Sequence, residues 1–170
     1  MKILLADDHD LVRDTLAAFL EMADDIEVAT VADLDTACAA IAKQGDFDLV
    51  LLDYEMPGMN GLEGLRRAIE LSEGKPVAVM SGTAPKSVAQ DALGYGAIGF
   101  IPKTMGAKSL INVVNFMAAG EVFVPIKFMT ESPVSGLRSL NKSLSARELD
   151  VLGGLCRGLA NKEIARELEL

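Results

Sequence analysis

Cysteine is scarce in this sequence of 170 residues: only Cys38 and Cys156 are present, far apart. Neither has a partner at metal-ligand spacing, which argues against a disulfide framework or a zinc site. Both read as small buried fillers. Histidine is scarcer still, with His9 alone, and it reads as an early residue of the first helix or its entry loop, without chemistry of its own. No apolar run approaches the roughly 18 residues that cross a bilayer, and no charged-then-apolar leader follows Met1. The expectation is a cytoplasmic protein with no membrane partner. A glycine-rich phosphate loop and a Walker-type Lys-Ser/Thr are also missing, so the chain has no apparatus for binding a nucleotide.

What is present is enough apolar material for a core: 50% hydrophobic residues, a net charge of −9 and a mean hydropathy of +0.28. The acidity is uneven. Residues 1–125 carry 19 acids against 9 bases, whereas residues 142–170 carry 5 of each. Solvated helix faces account for most of the excess, but several acids stand at strand ends.

Five short apolar runs have the length of buried strands: KILLA (2–6), EVATV (27–31), DLVLL (48–52), VAVMS (77–81) and IGFI (98–101). Helix-like stretches separate them. In the first, Leu11, Leu16, Phe19 and Leu20 are expected on one apolar side; the second, LDTACAAIAKQ, is rich in alanine. Strand alternating with helix predicts a parallel sheet covered on both faces, and five strands suit a doubly wound, flavodoxin-like sheet. A last helix, ended by Gly120, and a short extended piece, EVFVP, follow. The linker is assigned to residues 123–142, where Pro133, Gly136 and several serines interrupt any period from position 126 onward.

In an open parallel sheet, ligands bind outside the carboxyl ends of the strands. The residues delivered there are Asp7 and Asp8, Asp53, Ser81 and Lys103. Three carboxylates in one cleft repel one another unless a counter-charge is supplied. An oxygen-only donor set, with no histidine or cysteine nearby, suits a hard divalent ion such as Mg²⁺. With Lys103 as a compact charge and Ser81 as a hydroxyl donor, the cleft could hold a phosphoryl group, and a carboxylate can accept one as an aspartyl phosphate. The donor has to come from another molecule.

ADDHDLVRDTL, DLVLLDYEMPGMNGLEGLRR, AVMSG and GYGAIGFIPKT resemble, in order and spacing, the receiver domain of two-component response regulators, over residues 1–122. The resemblance implies that Asp53 is phosphorylated by a sensor histidine kinase. It implies Mg²⁺ on Asp8, Asp53 and the backbone carbonyl of Glu55, with Asp7 acting through a metal-bound water. Lys103 and Ser81 would contact the phosphoryl oxygens, Phe100 would be the aromatic that swings inward with Ser81, and activation would promote a homodimer. Two departures stand out: Phe100 occupies a position where tyrosine is frequent, and Thr104 follows Lys103 where many receivers have a cis proline. A cis Lys-Thr bond costs about 3–4 kcal/mol, so trans is expected.

Residues 143–170 carry a second signal. Ser145 and Glu148 form a capping box ahead of a helix with Leu149, Leu152, Leu155 and Cys156 on one face; Gly158 ends it and Asn161 can cap another. Physically this is a helical hairpin. LSARELDVL and GLANKEIARELEL also resemble the opening of a LuxR-type helix-turn-helix domain, as in NarL/FixJ-type regulators, with the recognition helix absent. The expectation is that the complete protein binds DNA and that these 170 residues do not bind it specifically, since the tail has no basic run. Two other function classes stay open at this stage. One is a phosphorylation-independent interaction module; the other is a Mg²⁺-dependent phosphohydrolase with Glu55 as its extra acid.

Overall fold

Each of the five apolar runs is a strand in the computed structural model, which describes residues 1–44 and 46–128. Most of the linker and the whole helix-turn-helix segment, 129–170, lie outside the described residues. The order is β1 (Lys2–Ala6), α1 (Asp10–Leu20), β2 (Glu27–Val31), α2 (Leu34–Gln44), β3 (Leu49–Asp53), α3 (Glu63–Leu71), β4 (Val77–Ser81), α4 (Lys86–Gly94), β5 (Gly99–Pro102) and α5 (Ala107–Ala118). The sheet runs β2-β1-β3-β4-β5 and every pairing is parallel. β3 and β5 sit one residue later than the apolar runs suggest, because Asp53 and Pro102 still pair in register with Met80 and Ser81. The strand therefore carries Asp53 itself.

Alternation along the strands divides the core in two. Leu4, Val50, Leu52, Val79 and Phe100 meet α2, α3 and α4 on one face. Ile3, Leu5, Leu49, Leu51, Met80 and Ile101 meet α1 and α5 on the other, through Leu20, Leu110, Val114 and Met117. Strands buried on both faces need no polar side, which is why β1, β3 and β4 read as unbroken apolar runs. β2 lies at an edge and its residues are partly exposed.

On α1 the expected apolar side is corrected. Leu20 is fully buried, but Leu11 is 81% exposed and Phe19 38%. The stripe that meets the sheet includes Leu16, Ala17 and Leu20, at helical spacing; Leu11 lies off it. Cys38 is buried in α2, as a filler should be.

Two glycines let the β3–α3 loop pack closely against the start of α2 and against α3. Gly58 has φ +89°, a left-handed conformation that favours glycine, and a Cβ there would lie 3.0 Å from the Leu34 Cβ. At Gly64 a Cβ would come within 2.7 Å of the Met59 backbone, so α3 can approach the loop only without a side chain there. α5 stops before Gly120, at φ +91°, whose amide bonds to the Met117 carbonyl. No peptide bond among the described residues is cis, the Lys103–Thr104 bond included.

The first compact unit extends from Met1 to Phe128. The EVFVP stretch is indeed extended: Phe123 forms a parallel bridge with Gly99 beside β5. A short 3-10 turn, Ile126–Phe128, follows and packs against α4.

Candidate functional site

Strand order reverses between β1 and β3, and an open sheet has its crevice at that point, outside the carboxyl ends. β1 runs into Asp7 and Asp8, β3 ends on Asp53, β4 on Ser81, and β5 is followed by Lys103. Asp7 and Asp53 are fully buried, and the Lys103 ammonium sits between them, 2.7 Å from Asp7 Oδ2 and 2.9 Å from Asp53 Oδ2. Those two oxygens have no other partner among the described residues, so Lys103 alone balances them. Buried charges are tolerated only in such company.

The electrostatics follow. Burial pushes the Asp53 carboxyl above its ordinary range, against the opposing pull of Lys103, and neighbouring Asp7 pushes in the same upward direction. Burial works to lower the Lys103 ammonium, but the bonds to Asp7 and Asp53 outweigh it and hold the group above its usual value. Lys103 is therefore a fixed positive charge at neutral pH.

Asp8 stands at the rim with its side chain partly exposed. His9 corrects the expectation that no histidine lies near: its Nδ1 is 2.9 Å from Asp8 Oδ1 and 3.4 Å from Asp7 Oδ1. One donor atom from each of Asp7, Asp8, His9 and Asp53 falls within 4.8 Å of the others. Three carboxylates against one ammonium leave two negative charges, which a divalent cation would neutralise, and carboxylate oxygens suit a hard ion. The donor set fits Mg²⁺, with an imidazole added at the edge.

Local bonds hold the carboxylates in place. Asp7 Oδ1 accepts the His9 amide at 2.9 Å, and the Asp7 carbonyl accepts the Arg13 Nη1–H at 2.8 Å. Arg13 is steadied in turn by Asp10. The Glu55 amide donates to Asp53 Oδ1 at 3.4 Å, while the Glu55 carboxylate accepts the Thr83 hydroxyl at 2.8 Å on the exposed side. Ser81 is buried, and its hydroxyl oxygen accepts the amides of Thr83 (3.2 Å) and Ala84 (2.9 Å), so it caps the β4–α4 loop. Phe100 is wholly enclosed in the core, its ring 4.9 Å from that of Phe128.

Asp7, Asp8, Asp53 and Lys103 thus converge, Glu55 and Ser81 border them, and Phe100 lies in the core. Sequence reasoning missed Arg13 and misjudged His9. Both sit within six positions of Asp7, His9 just before α1 and Arg13 in its first turn, and only the folding of that segment shows where their side chains go.

The sequence matches the response regulator receiver domain over residues 3–115, and the luxR family of bacterial regulatory proteins over residues 142–170. It is 35% identical to the nitrate/nitrite response regulator protein NarL of Escherichia coli K12 over 175 residues, covering 99% of this chain and 81% of NarL. It is 33% identical to the glycerol metabolism activator of Pseudomonas putida over 180 residues, with 99% and 81% covered. Among solved structures, a LuxR family DNA-binding response regulator from Silicibacter pomeroyi matches with a TM-score of 0.65 at 32% identity, covering 74% of this chain and 97% of that one. A CheY-like receiver domain from Methanospirillum hungatei matches with a TM-score of 0.64 at 27% identity, covering 70% and 94%. The chain belongs to the NarL/FixJ-type response regulators, transcription regulators in which a receiver domain that works with sensor kinases is joined to a LuxR-type DNA-binding domain.

Proposed function

We propose that Asp53 is the phosphoryl acceptor of a sensor histidine kinase, and that its phosphorylation switches the chain's self-association and so its control of transcription. One observation carries this reading: a fully buried carboxylate at the end of β3, bonded to a lysine ammonium and crowded by a second buried carboxylate. An Asp53 oxygen attacks the phosphorus, the P–N bond of the phosphohistidine breaks, and the imidazole nitrogen keeps the electron pair.

Asp8, Asp53 and the Glu55 carbonyl would hold Mg²⁺, with Asp7 reaching it through water. Bound there, the ion would supply positive charge to the phosphoryl oxygens. Lys103 keeps its charge and is already within bonding reach of Asp53, so it can follow an oxygen of the transferred group. Ser81 can donate to another such oxygen once its hydroxyl leaves the Thr83 and Ala84 amides, and Phe100 moves with it. The Glu55 carboxylate is engaged by Thr83 at the rim, which favours a slowly self-dephosphorylating acceptor over a phosphohydrolase.

The same reading takes residues 1–122 as receiver, 123–142 as linker and 143–170 as part of the DNA-binding domain. It places the protein in the cytoplasm with its kinase and DNA; no helix among the described residues is long and apolar enough to cross a membrane. Activation promotes a homodimer.

The test is incubation with Mg²⁺ and acetyl phosphate, followed by intact mass. The expected result is a gain of one phosphoryl group that disappears in Asp53→Asn. No gain in folded, Mg²⁺-binding protein would refute the reading in favour of a phosphorylation-independent module.

A further inference from the structure

β5 is the last strand of the sheet, and its outer edge should show a row of unpaired backbone groups. It is covered instead by the chain that follows α5. The Phe100 amide donates to the Phe123 carbonyl at 2.9 Å, and the Phe123 amide donates to the Ile98 carbonyl at 3.0 Å. After Pro125 the chain turns through Ile126–Phe128, with the Phe128 amide on the Pro125 carbonyl, and meets α4. The Phe128 ring then lies 4.9 Å from the Phe100 ring at a tilt of 52°, within the range of a favourable aromatic pair. Residues 121–128 therefore form a strap over β5.

The strap needs a bare backbone beneath it. A Cβ on Gly99 would lie 2.6 Å from the Phe123 carbonyl oxygen and 2.6 Å from Met117 Sδ, so only glycine admits both the strap and α5. Phe100 and Lys103 belong to the same short stretch, and the Lys103 amide is tied to the Ser81 carbonyl at 2.8 Å. Hence the strap grips β5 three residues before the lysine that binds Asp53.

We propose that Phe128 is a positioning residue for the switch: the strap holds Phe100 where it is while the Ser81 hydroxyl stays on the β4–α4 loop, and occupancy of Asp53 and release of the strap are coupled. The inference rests on the phosphoryl-acceptor reading. A shift of the Phe100 ring is felt at once by the Phe128 ring paired with it, and a shift of the β5 backbone by the bonds that Phe123 makes to Phe100 and Ile98. Coupling is reciprocal: what loosens the strap favours the occupied site, and occupancy loosens the strap by the same factor. The strap leads directly into residue 129, so its release is the event the rest of the chain can receive.

The experiment uses the full chain with Mg²⁺ and beryllofluoride, a tetrahedral phosphoryl mimic that adds to a carboxylate. In the wild type, the mimic should speed hydrogen exchange of the Phe100 and Phe123 amides at least fivefold, while exchange in β1 and β3 slows. Phe128→Ala should bind the mimic three- to tenfold more tightly, Phe128→Leu should return affinity toward wild type, and Gly99→Ala should repeat the tightening by a different route. Mimic binding with unchanged exchange at Phe100 and Phe123, or with affinity unchanged or weaker in folded Phe128→Ala, overturns the strap while leaving the acceptor reading intact. A wild type that does not bind the mimic at all overturns both.

Discussion

Replacing Lys103 with methionine and Asp53 with asparagine should move stability in opposite directions when metal is withheld. Among the described residues Lys103 is the sole counter-charge at Asp7 Oδ2 and Asp53 Oδ2, both wholly buried. Donor atoms of the cluster lie within 4.8 Å of each other. At an effective dielectric near 20, two like charges at that separation repel by roughly 3.5 kcal/mol. Removing one partner of a buried ion pair costs about 3–5 kcal/mol, and the partial exposure of Lys103 puts Lys103→Met at the lower end, about 3 kcal/mol. For a domain of this size that is a fall in Tm of roughly 10 °C. Asp53→Asn removes the charge that burial disfavours. A carboxyl held above its unfolded value in the folded state opposes folding once pH exceeds that value, so its loss should raise Tm at pH 7 in EDTA. Added Mg²⁺ should then rescue Lys103→Met more than wild type, because the variant site carries three uncompensated negative charges; at a hundred times Kd the gain is about 2.7 kcal/mol. The assay is thermal unfolding by circular dichroism, in EDTA and across a Mg²⁺ titration. Lys103→Met as stable as wild type in EDTA, or Asp53→Asn less stable, would refute this charge balance.

Gly64→Ala should lower stability by about 2 kcal/mol despite the helix preference for alanine, since its Cβ would strike the Met59 backbone; a urea midpoint equal to wild type would contradict that contact. Arg13→Ala should weaken Mg²⁺ binding severalfold in calorimetry with a small change in Tm, because the Asp7 carbonyl loses its brace, and Arg13→Lys should recover part of it. Unaltered affinity in Arg13→Ala would remove Arg13 from the site. Asp33 precedes α2 and accepts the Thr36 amide at 2.8 Å, which holds its carboxyl below its ordinary value. Its contribution is complete above the unfolded value of 3.8 and disappears as pH falls through the lower folded value, so the Tm difference between wild type and Asp33→Ala should close on acidification below pH 3.8. A difference that does not shrink at all on acidification below pH 3.8 would exclude the carboxylate as its source.

The order of strands and helices, the doubly wound sheet and the carboxylates at strand ends were all legible without coordinates. They depend on local periodicity and on the rule that such sheets present residues beyond their carboxyl ends. Asp53 could be singled out because an apolar run closes on it, and Asp7, Asp8 and Lys103 because they occupy equivalent ends. Leu11 and Phe19 show where periodicity fails: an apolar residue in a helix reveals a pattern, but which stripe is covered depends on how the helix is set against the sheet.

The sequence by itself determined what each element is and which charges gather at one end of the sheet, since these follow from composition and spacing along a single segment. Only the tertiary structure decided that Lys103 lies between two buried carboxylates, that Ser81 spends its hydroxyl on a loop, that His9 and Arg13 reach back to the Asp7 turn, and that the chain beyond α5 covers β5 and rests Phe128 on Phe100. Those facts join side chains and segments distant in sequence, or depend on which way a side chain turns. They are settled by packing and hydrogen-bond geometry, which no single segment contains.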